Sequence, residues 1–229
     1  MDHGEGAIMS PENASFRDPS GFVFRSNGLL FRRINKSYAK HYDFLRGSGL
    51  YERLSTSGAL VEHTELDEPR FDDAEFYKTI QPREIPFISY PYEWSFSQLK
   101  DAALLTLDIQ LSALEHEMTL KDASAYNIQF EHGQPIFIDT LSFEQYTAGA
   151  PWAAYRQFCQ HFLAPLALMA KSDVNLSQLS RVFIDGVPLE LASRVLPASS
   201  WLKWGLVGHV HLHAKAQKAY ADTQVRNSS

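Results

Sequence analysis

The chain has 229 residues, of which 45% are hydrophobic, 21% charged and 13% aromatic. That supply of apolar side chains fills one large core or two small lobes and excludes a disordered chain. A formal charge of −6 without a basic stripe argues against a nucleic-acid partner, and a single cysteine, Cys159, cannot close an internal disulfide.

Residues 1–19 read as a polar, mobile leader, without the basic and apolar regions of a signal peptide. Gly21–Arg25 and Leu29–Ile34 flank Ser26-Asn27-Gly28, and Asn-Gly between apolar runs predicts a tight hairpin. A helix is expected over Tyr38–Leu45, capped by Ser37, and a second from Leu50 to Gly58 after the break at Gly47-Ser48-Gly49. Leu60–Leu66 reads as a strand and Asp67–Glu75 as an acidic loop. Ile85–Ile88 is an apolar strand leading into the aromatic connector Tyr90-Pro91-Tyr92-Glu93-Trp94.

Ser95 caps a long helix, Phe96–Met118, whose Leu99, Ala103, Leu107, Leu111 and Leu114 recur at three- and four-residue steps. Asn127–Phe130 and Pro135–Ile138 flank the polar turn Glu131-His132-Gly133-Gln134, which predicts a second hairpin. After Asp139 the pattern is helical over 152–169, 176–183, 189–196 and 201–220, with a turn at Asp185-Gly186. The longest apolar run, Phe162–Ala170, is too short to span a membrane and contains Pro165, so no membrane span is expected and the chain reads as cytoplasmic.

The chemistry concentrates around the second hairpin. Asp122 precedes Asn127 by five residues, and Asp139 closes the return strand. A hairpin brings its outer ends together, so Asn127 and Asp139 become neighbours. Their oxygens suit a hard cation such as Mg²⁺, while Asp122 projects from a loop towards a substrate. A purely structural loop is the other reading of these residues, because Asp and Asn are favoured in turns and caps.

This D-x-x-x-x-N…I-D arrangement resembles the catalytic and metal loops of the protein-kinase-like fold, including the small-molecule, aminoglycoside-type phosphotransferases. The resemblance implies an α+β, two-lobed fold. A small β-rich lobe with its connector would span 20–94, a mostly helical lobe 95–220, and a tail 221–229. It implies ATP and Mg²⁺ as ligands and a small-molecule substrate, with Asp122 orienting the acceptor and Asn127 and Asp139 holding Mg²⁺. It further implies a phosphate-contacting base on a small-lobe strand, with Arg32, Arg33 and Lys36 as positional candidates and Glu52 as its helical partner. Each of these charges also reads as a solvated surface residue. Tyr90 and Tyr92 in the connector would border the adenine, unless the connector is only a proline-rich turn. The chain departs from the family in having Leu120-Lys121 before Asp122, and in lacking both a G-x-G-x-x-G lid and a Val-Ala-Ile-Lys run.

A second resemblance covers nearly the whole chain. Asp18-Pro19-Ser20-Gly21, Ile88–Trp94, Leu120–Asn127, Ile138–Phe143 and His211–Lys215 are similar to the N-terminal portion of bacterial class I SAM-dependent methyltransferase-type proteins, nodulation-protein-like members included. The resemblance implies a leading module whose SAM site lies in a downstream domain, since this chain has no strand followed by a G-x-G turn. Two functions follow. One is a kinase-like nucleotide-binding module, either a phosphotransferase or a pseudokinase. The other is a non-catalytic domain presenting a partner or substrate to a methyltransferase domain through Tyr90, Tyr92, Trp94, Trp201 and Trp204. His209, His211 and His213 suggest either a metal site or an amphipathic helix, on which only His209 and His213 share a face.

Overall fold

The computed structural model describes residues 9–11, 18–66, 71 and 73–212. Its N-terminal half is one antiparallel sheet of β1 (Met9–Pro11), β2 (Gly21–Ser26), β3 (Leu29–Asn35), β4 (His63–Leu66) and β5 (Phe76–Pro82), in the order β1-β2-β3-β5-β4. Asn27 (φ 52°) and Gly28 (φ 79°) both take positive φ, as a type I′ turn requires, and so close the β2–β3 hairpin with Ser26 opposite Leu29. Part of the expected leader therefore belongs to the sheet, as β1 pairs with β2.

Between β3 and β4 run α1 (Lys36–Gly47) and α2 (Leu50–Thr56). Tyr38, Tyr42 and Leu45, four and three residues apart, form the buried face of α1. The two tyrosines pack with Ile34, Ile80 and Leu141. Asn35 rather than Ser37 stands at the N-cap of α1, and the Ser37 hydroxyl donates instead to the Pro19 carbonyl at 2.7 Å. Strand β5 begins directly after the expected acidic loop 67–75, in a stretch to which the sequence assigns no element. Its apolar pattern is broken by Lys78, which pairs with Glu65, and by the fully buried Thr79. Ile85–Ile88 stays outside the sheet.

The Ser95 hydroxyl accepts from Gln98 N at 3.3 Å, and the Gln98 side chain accepts from Ser95 N at 3.0 Å. This reciprocal cap starts α3 (Phe96–Glu115). The helix stops short of Met118, which opens β6 (Met118–Leu120). The second hairpin follows as β7 (Ile128–Glu131) and β8 (Gln134–Phe137), and β9 (Phe143–Gln145) returns to pair with β6. The expected strand over Leu60–Leu66 divides. His63–Leu66 joins the sheet, while Val61 N donates to Phe137 O at 2.8 Å and Phe137 N to Ala59 O at 2.9 Å. That bridge ties the sheet half to the helical half.

One core cluster carries the join, with Leu45, Leu54, Trp94, Leu99, Leu120, Ile128, Phe137 and Phe143 at its centre. Each such side chain contributes roughly 2 kcal/mol through apolar burial. Beyond β9 lie α4 (Tyr155–Phe158), a π-helical turn over Cys159–Leu163, α5 (Ala164–Lys171), α6 (Leu179–Val182), α7 (Leu189–Val195) and α8 (Trp204–Leu206). The helix expected over 152–169 is thus interrupted by a π turn. Cys159 is buried in it as a free thiol.

The terminal helix expected over 201–220 is a 3₁₀ turn, α8 and a π turn as far as Leu212. His213, the rest of that segment and the tail 221–229 lie outside the described residues. Among those described, no helix is long and apolar enough to cross a membrane. The architecture is α+β, with the sheet first and the helices after it.

Candidate functional site

Asp122 lies in the loop that leaves β6, and its position is set by its own hydrogen bonds. Its Oδ1 accepts from Ser124 N at 2.8 Å, an Asx turn. The side chains of Gln157 and Asn127 bond to the same carboxylate, while Gln157 Oε1 takes Ala123 N at 2.7 Å. Burial pushes the Asp122 carboxyl above its ordinary range. The nearby Asp139 adds to the rise, and the Ser124, Gln157 and Asn127 donors oppose it.

Asn127 and Asp139 meet as the hairpin geometry requires. Ile138 N donates to Asn127 O at 2.8 Å, which fixes the outer rung. A serine joins the side chains: Asn127 Nδ2 donates to Ser142 Oγ at 3.2 Å, and the Ser142 hydroxyl donates to Asp139 Oδ2 at 2.8 Å. Asp139 Oδ1 accepts from Leu141 N at 2.9 Å and from the Arg32 guanidinium at 2.5 Å. Asp122, Asn127 and Asp139 therefore form one cluster, with Arg32 inserted from the sheet.

Two cavities meet at this cluster. One, of about 490 Å³, opens between the sheet and the second hairpin. Its walls include Val23, Leu30, Val61, Ile80, Ile85 and Ile138, with Arg32, Asn127 and Asp139 at its polar end. The other, of about 450 Å³, lies in the helical half and is lined by Ser124, Gln157, His161 and Asp185 among others. Asp122, Tyr126 and Asn127 line both.

The remaining expected residues divide between this region and elsewhere. Alternation along β3 puts Arg32 in the cleft and Arg33 on the opposite face of the sheet. There Arg33 forms a bidentate pair with Asp73 at 2.6 and 2.5 Å, and its guanidinium lies 4.7 Å from the Phe71 ring centroid. Lys36 is exposed at the start of α1 and lines neither cavity. Glu52 pairs with Arg46 at 2.9 Å on the surface of α2, away from Arg32. Lys36 and Glu52 thus lie at the surface, whereas Arg33 is buried in its ion pair with Asp73 rather than solvated. Tyr90 and Tyr92 stack on each other at 5.5 Å, and Tyr90 lies 6.5 Å from Tyr126. They stand beside the meeting point of the cavities rather than along the apolar cleft wall. Ser142, Tyr126 and Asp185 fall within stretches the sequence marks but without an expected role in the site, and Gln157 and His161 fall in no motif.

Among the described residues, His209 and His211 belong to no metal constellation. His211 is fully buried and bonds Ser193 Oγ at 2.7 Å and Ser200 Oγ at 2.9 Å, and His209 bonds the Tyr155 hydroxyl. Among the described residues no group of three or more His, Cys, Asp or Glu side chains could hold a metal ion. Mg²⁺ at the cluster would thus rest on Asp139 and Asn127, with phosphate and water completing its shell. The donors fit that requirement. Asp139 Oδ2 uses one lone pair on Ser142, and the Asn127 Oδ1 accepts from no described residue.

The second cavity owes its shape to Pro165. Within the π turn, Ala164 N donates to Cys159 O, five residues back. The next donor in that pattern would be residue 165, but proline has no N–H. The orphaned Gln160 carbonyl accepts instead from Val187 N at 2.9 Å. That bond docks the 183–187 turn onto the helix and carries Asp185 over the cavity. Gly186 sits at φ +95°, where a Cβ would lie 2.6 Å from Gln160 Cβ and 3.0 Å from His161 Cδ2. Gly186→Ala is therefore expected to cost about 2 kcal/mol in urea unfolding, from positive φ and overpacking together. A change below about 0.5 kcal/mol would contradict the docking described.

The chain is thus an α+β protein with a carboxylate–amide–carboxylate cluster where two cavities join. Over 207 residues it is 35% identical to "Nodulation protein NoeA" of Rhizobium meliloti (strain 1021), a match that covers 90% of this chain and 43% of that protein. The chain therefore spans less than half the length of that relative. Among solved structures, that of vaccinia related kinase 3 is similar over 68% of this chain and 57% of its own, with a TM-score of 0.41 and 12% sequence identity. No family model matches the chain.

Proposed function

We propose that the chain is a kinase-like nucleotide-binding module that transfers a phosphoryl group from ATP to a small-molecule hydroxyl. The observation that carries this reading is the convergence of Asp122, Asn127 and Asp139 where the two cavities meet. The apolar cleft suits a nucleobase, and its polar end suits phosphates. Arg32, held at 2.5 Å from Asp139, supplies positive charge there. Mg²⁺, when bound, would neutralise phosphate charge from Asp139 and Asn127. Asp122 faces the second cavity as well, so it would orient an acceptor hydroxyl and accept its proton. Its raised affinity for a proton, caused by burial, suits that task.

A binding-only pseudokinase is the second reading. It is favoured by the Arg32–Asp139 pair, which already engages the carboxylate, and by the missing glycine-rich lid. In either case the chain would act as a module beside a methyltransferase domain, a reading that rests on the sequence resemblance alone; the match to NoeA covers 43% of that protein.

Asp122→Asn tests the catalytic reading. The amide keeps the shape and the Ser124 bond but cannot accept a proton. Mg·ATP affinity, followed by thermal shift, is expected to stay within about twofold, while ADP release falls by roughly 10² or more. Equal loss of affinity and rate would assign Asp122 to nucleotide binding. No ADP release from the parent chain, with Mg·ATP bound, would select the pseudokinase reading.

A further inference from the structure

We propose that the cavity between Asp122, His161 and Asp185 binds an uncharged hydroxylated ring, a pyranose-type sugar or cyclic polyol. It would present one ring hydroxyl to Asp122, and this last step rests on the phosphotransfer reading above. The cavity, at about 450 Å³, lies within the range of small-ligand sites.

His161 points to what occupies it. The residue is 7% exposed and lines the cavity, yet neither ring nitrogen has a hydrogen-bond partner among the described residues. Its only described ring contact is edge-to-face with Tyr126 at 6.2 Å. Neither nitrogen belongs to the fully buried atoms that lack a partner, so the ring turns its nitrogens to the cavity, where a ligand or water can meet them. His161 lies in the π turn, and Gly186 lies close beside it, since a Cβ at residue 186 would stand 3.0 Å from its Cδ2.

Burial lowers the His161 pKa to about 4, with Asp185 opposing the shift, so the ring is neutral at pH 7. A neutral imidazole offers one N–H donor and one bare nitrogen acceptor. A sugar hydroxyl satisfies either one, because it both donates and accepts. Asp122 and Asp185 add acceptors for further hydroxyls and repel anions. Tyr126, with Tyr90 and Tyr92 beside it, offers a flat apolar face for the C–H surface of a ring.

The test follows the His161 ring resonances of the full chain by NMR while methyl glucoside, N-acetylglucosamine, myo-inositol, glucosamine and glucuronate are added separately to millimolar concentration. At least one uncharged probe is expected to move them, with glucuronate weaker by about tenfold or more. Asp185→Asn, at an exposed position, is expected to narrow that gap. His161→Phe is expected to abolish binding of the uncharged probe, read from the Tyr126 signals.

The proposal is overturned if no uncharged probe moves the resonances, if glucuronate binds as well as the neutral probes, or if glucosamine binds about tenfold more tightly than they do. The titrations contain no nucleotide. Sugar binding without any Mg·ATP binding would therefore remove the phosphotransfer reading alone. Mg·ATP binding without sugar binding would remove this cavity's assignment alone.

Discussion

Replacing Asp139 by alanine is expected to destabilise the fold by about 3 kcal/mol, because it leaves the Arg32 guanidinium buried without its counter-ion. The two side chains are 11% and 17% exposed, and their 2.5 Å contact is shielded from water. Arg32 Nε has no hydrogen-bond partner among the described residues, so loss of the carboxylate leaves the group still less satisfied. The same substitution removes the acceptor for Leu141 N and the Ser142 hydroxyl. Arg32→Met combined with Asp139→Leu is expected to regain most of the loss, since apolar replacement of a buried pair is often neutral or stabilising. Urea unfolding of the two variants decides the matter. A loss below about 0.5 kcal/mol for Asp139→Ala would mean that the pair is open to solvent.

Acidification is expected to produce the other large effect. His63 and His161 both have pKa values lowered by burial to about 4, against 6.5 for an exposed imidazole. For His63 the hydrogen bonds explain the burial cost. The Tyr42 hydroxyl donates to Glu65 Oε1 at 2.7 Å, so at 2.8 Å it must accept from His63 Nε2–H. Nδ1 is then a bare, buried nitrogen without a hydrogen-bond partner among the described residues. Protonating it would place a cation close to Arg46, Arg32 and Lys78.

The sign is fixed by linkage. A base whose folded pKa lies below its unfolded value stabilises the fold fully above about pH 6.5, and that stability is lost as the pH falls towards 4. Each histidine can contribute up to roughly 3 kcal/mol over that window, a large share of an ordinary domain's stability. Urea midpoints measured from pH 7 to pH 5, above most carboxylate titration, should fall, and His63→Gln should flatten the slope. A flat or rising profile would contradict the burial of both rings.

How far the site could be read from the sequence depends on the range of the forces that build it. Asn27-Gly28, the Ser95–Gln98 cap and the Asp122-to-Asp139 hairpin are set by neighbours a few residues apart, and each stands where local chemistry places it. β5 was obscured because Lys78 and Thr79 break its apolar pattern, and their partners come from elsewhere in the chain. Arg32 and Arg33 are adjacent on one strand, so only the sheet's orientation decides which enters the cleft. His161 and Asp185 belong to the second cavity through the Gln160–Val187 hydrogen bond, a consequence of Pro165 that leaves no local motif. Glu52 drew attention as a helical acid, but the turn at Gly47–Gly49 starts a separate helix and directs it to Arg46.

The central claim is that the cleft beside Asp139 binds a nucleotide through Mg²⁺. Isothermal titration of the full chain with ATP, in Mg²⁺ and again in EDTA, tests it most directly. The account predicts saturable binding in Mg²⁺ that weakens at least about tenfold in EDTA and in Asp139→Asn, because a carboxylate charge leaves the ion's shell. No heat of binding at millimolar Mg·ATP, or binding indifferent to both Mg²⁺ and Asp139→Asn, would contradict it.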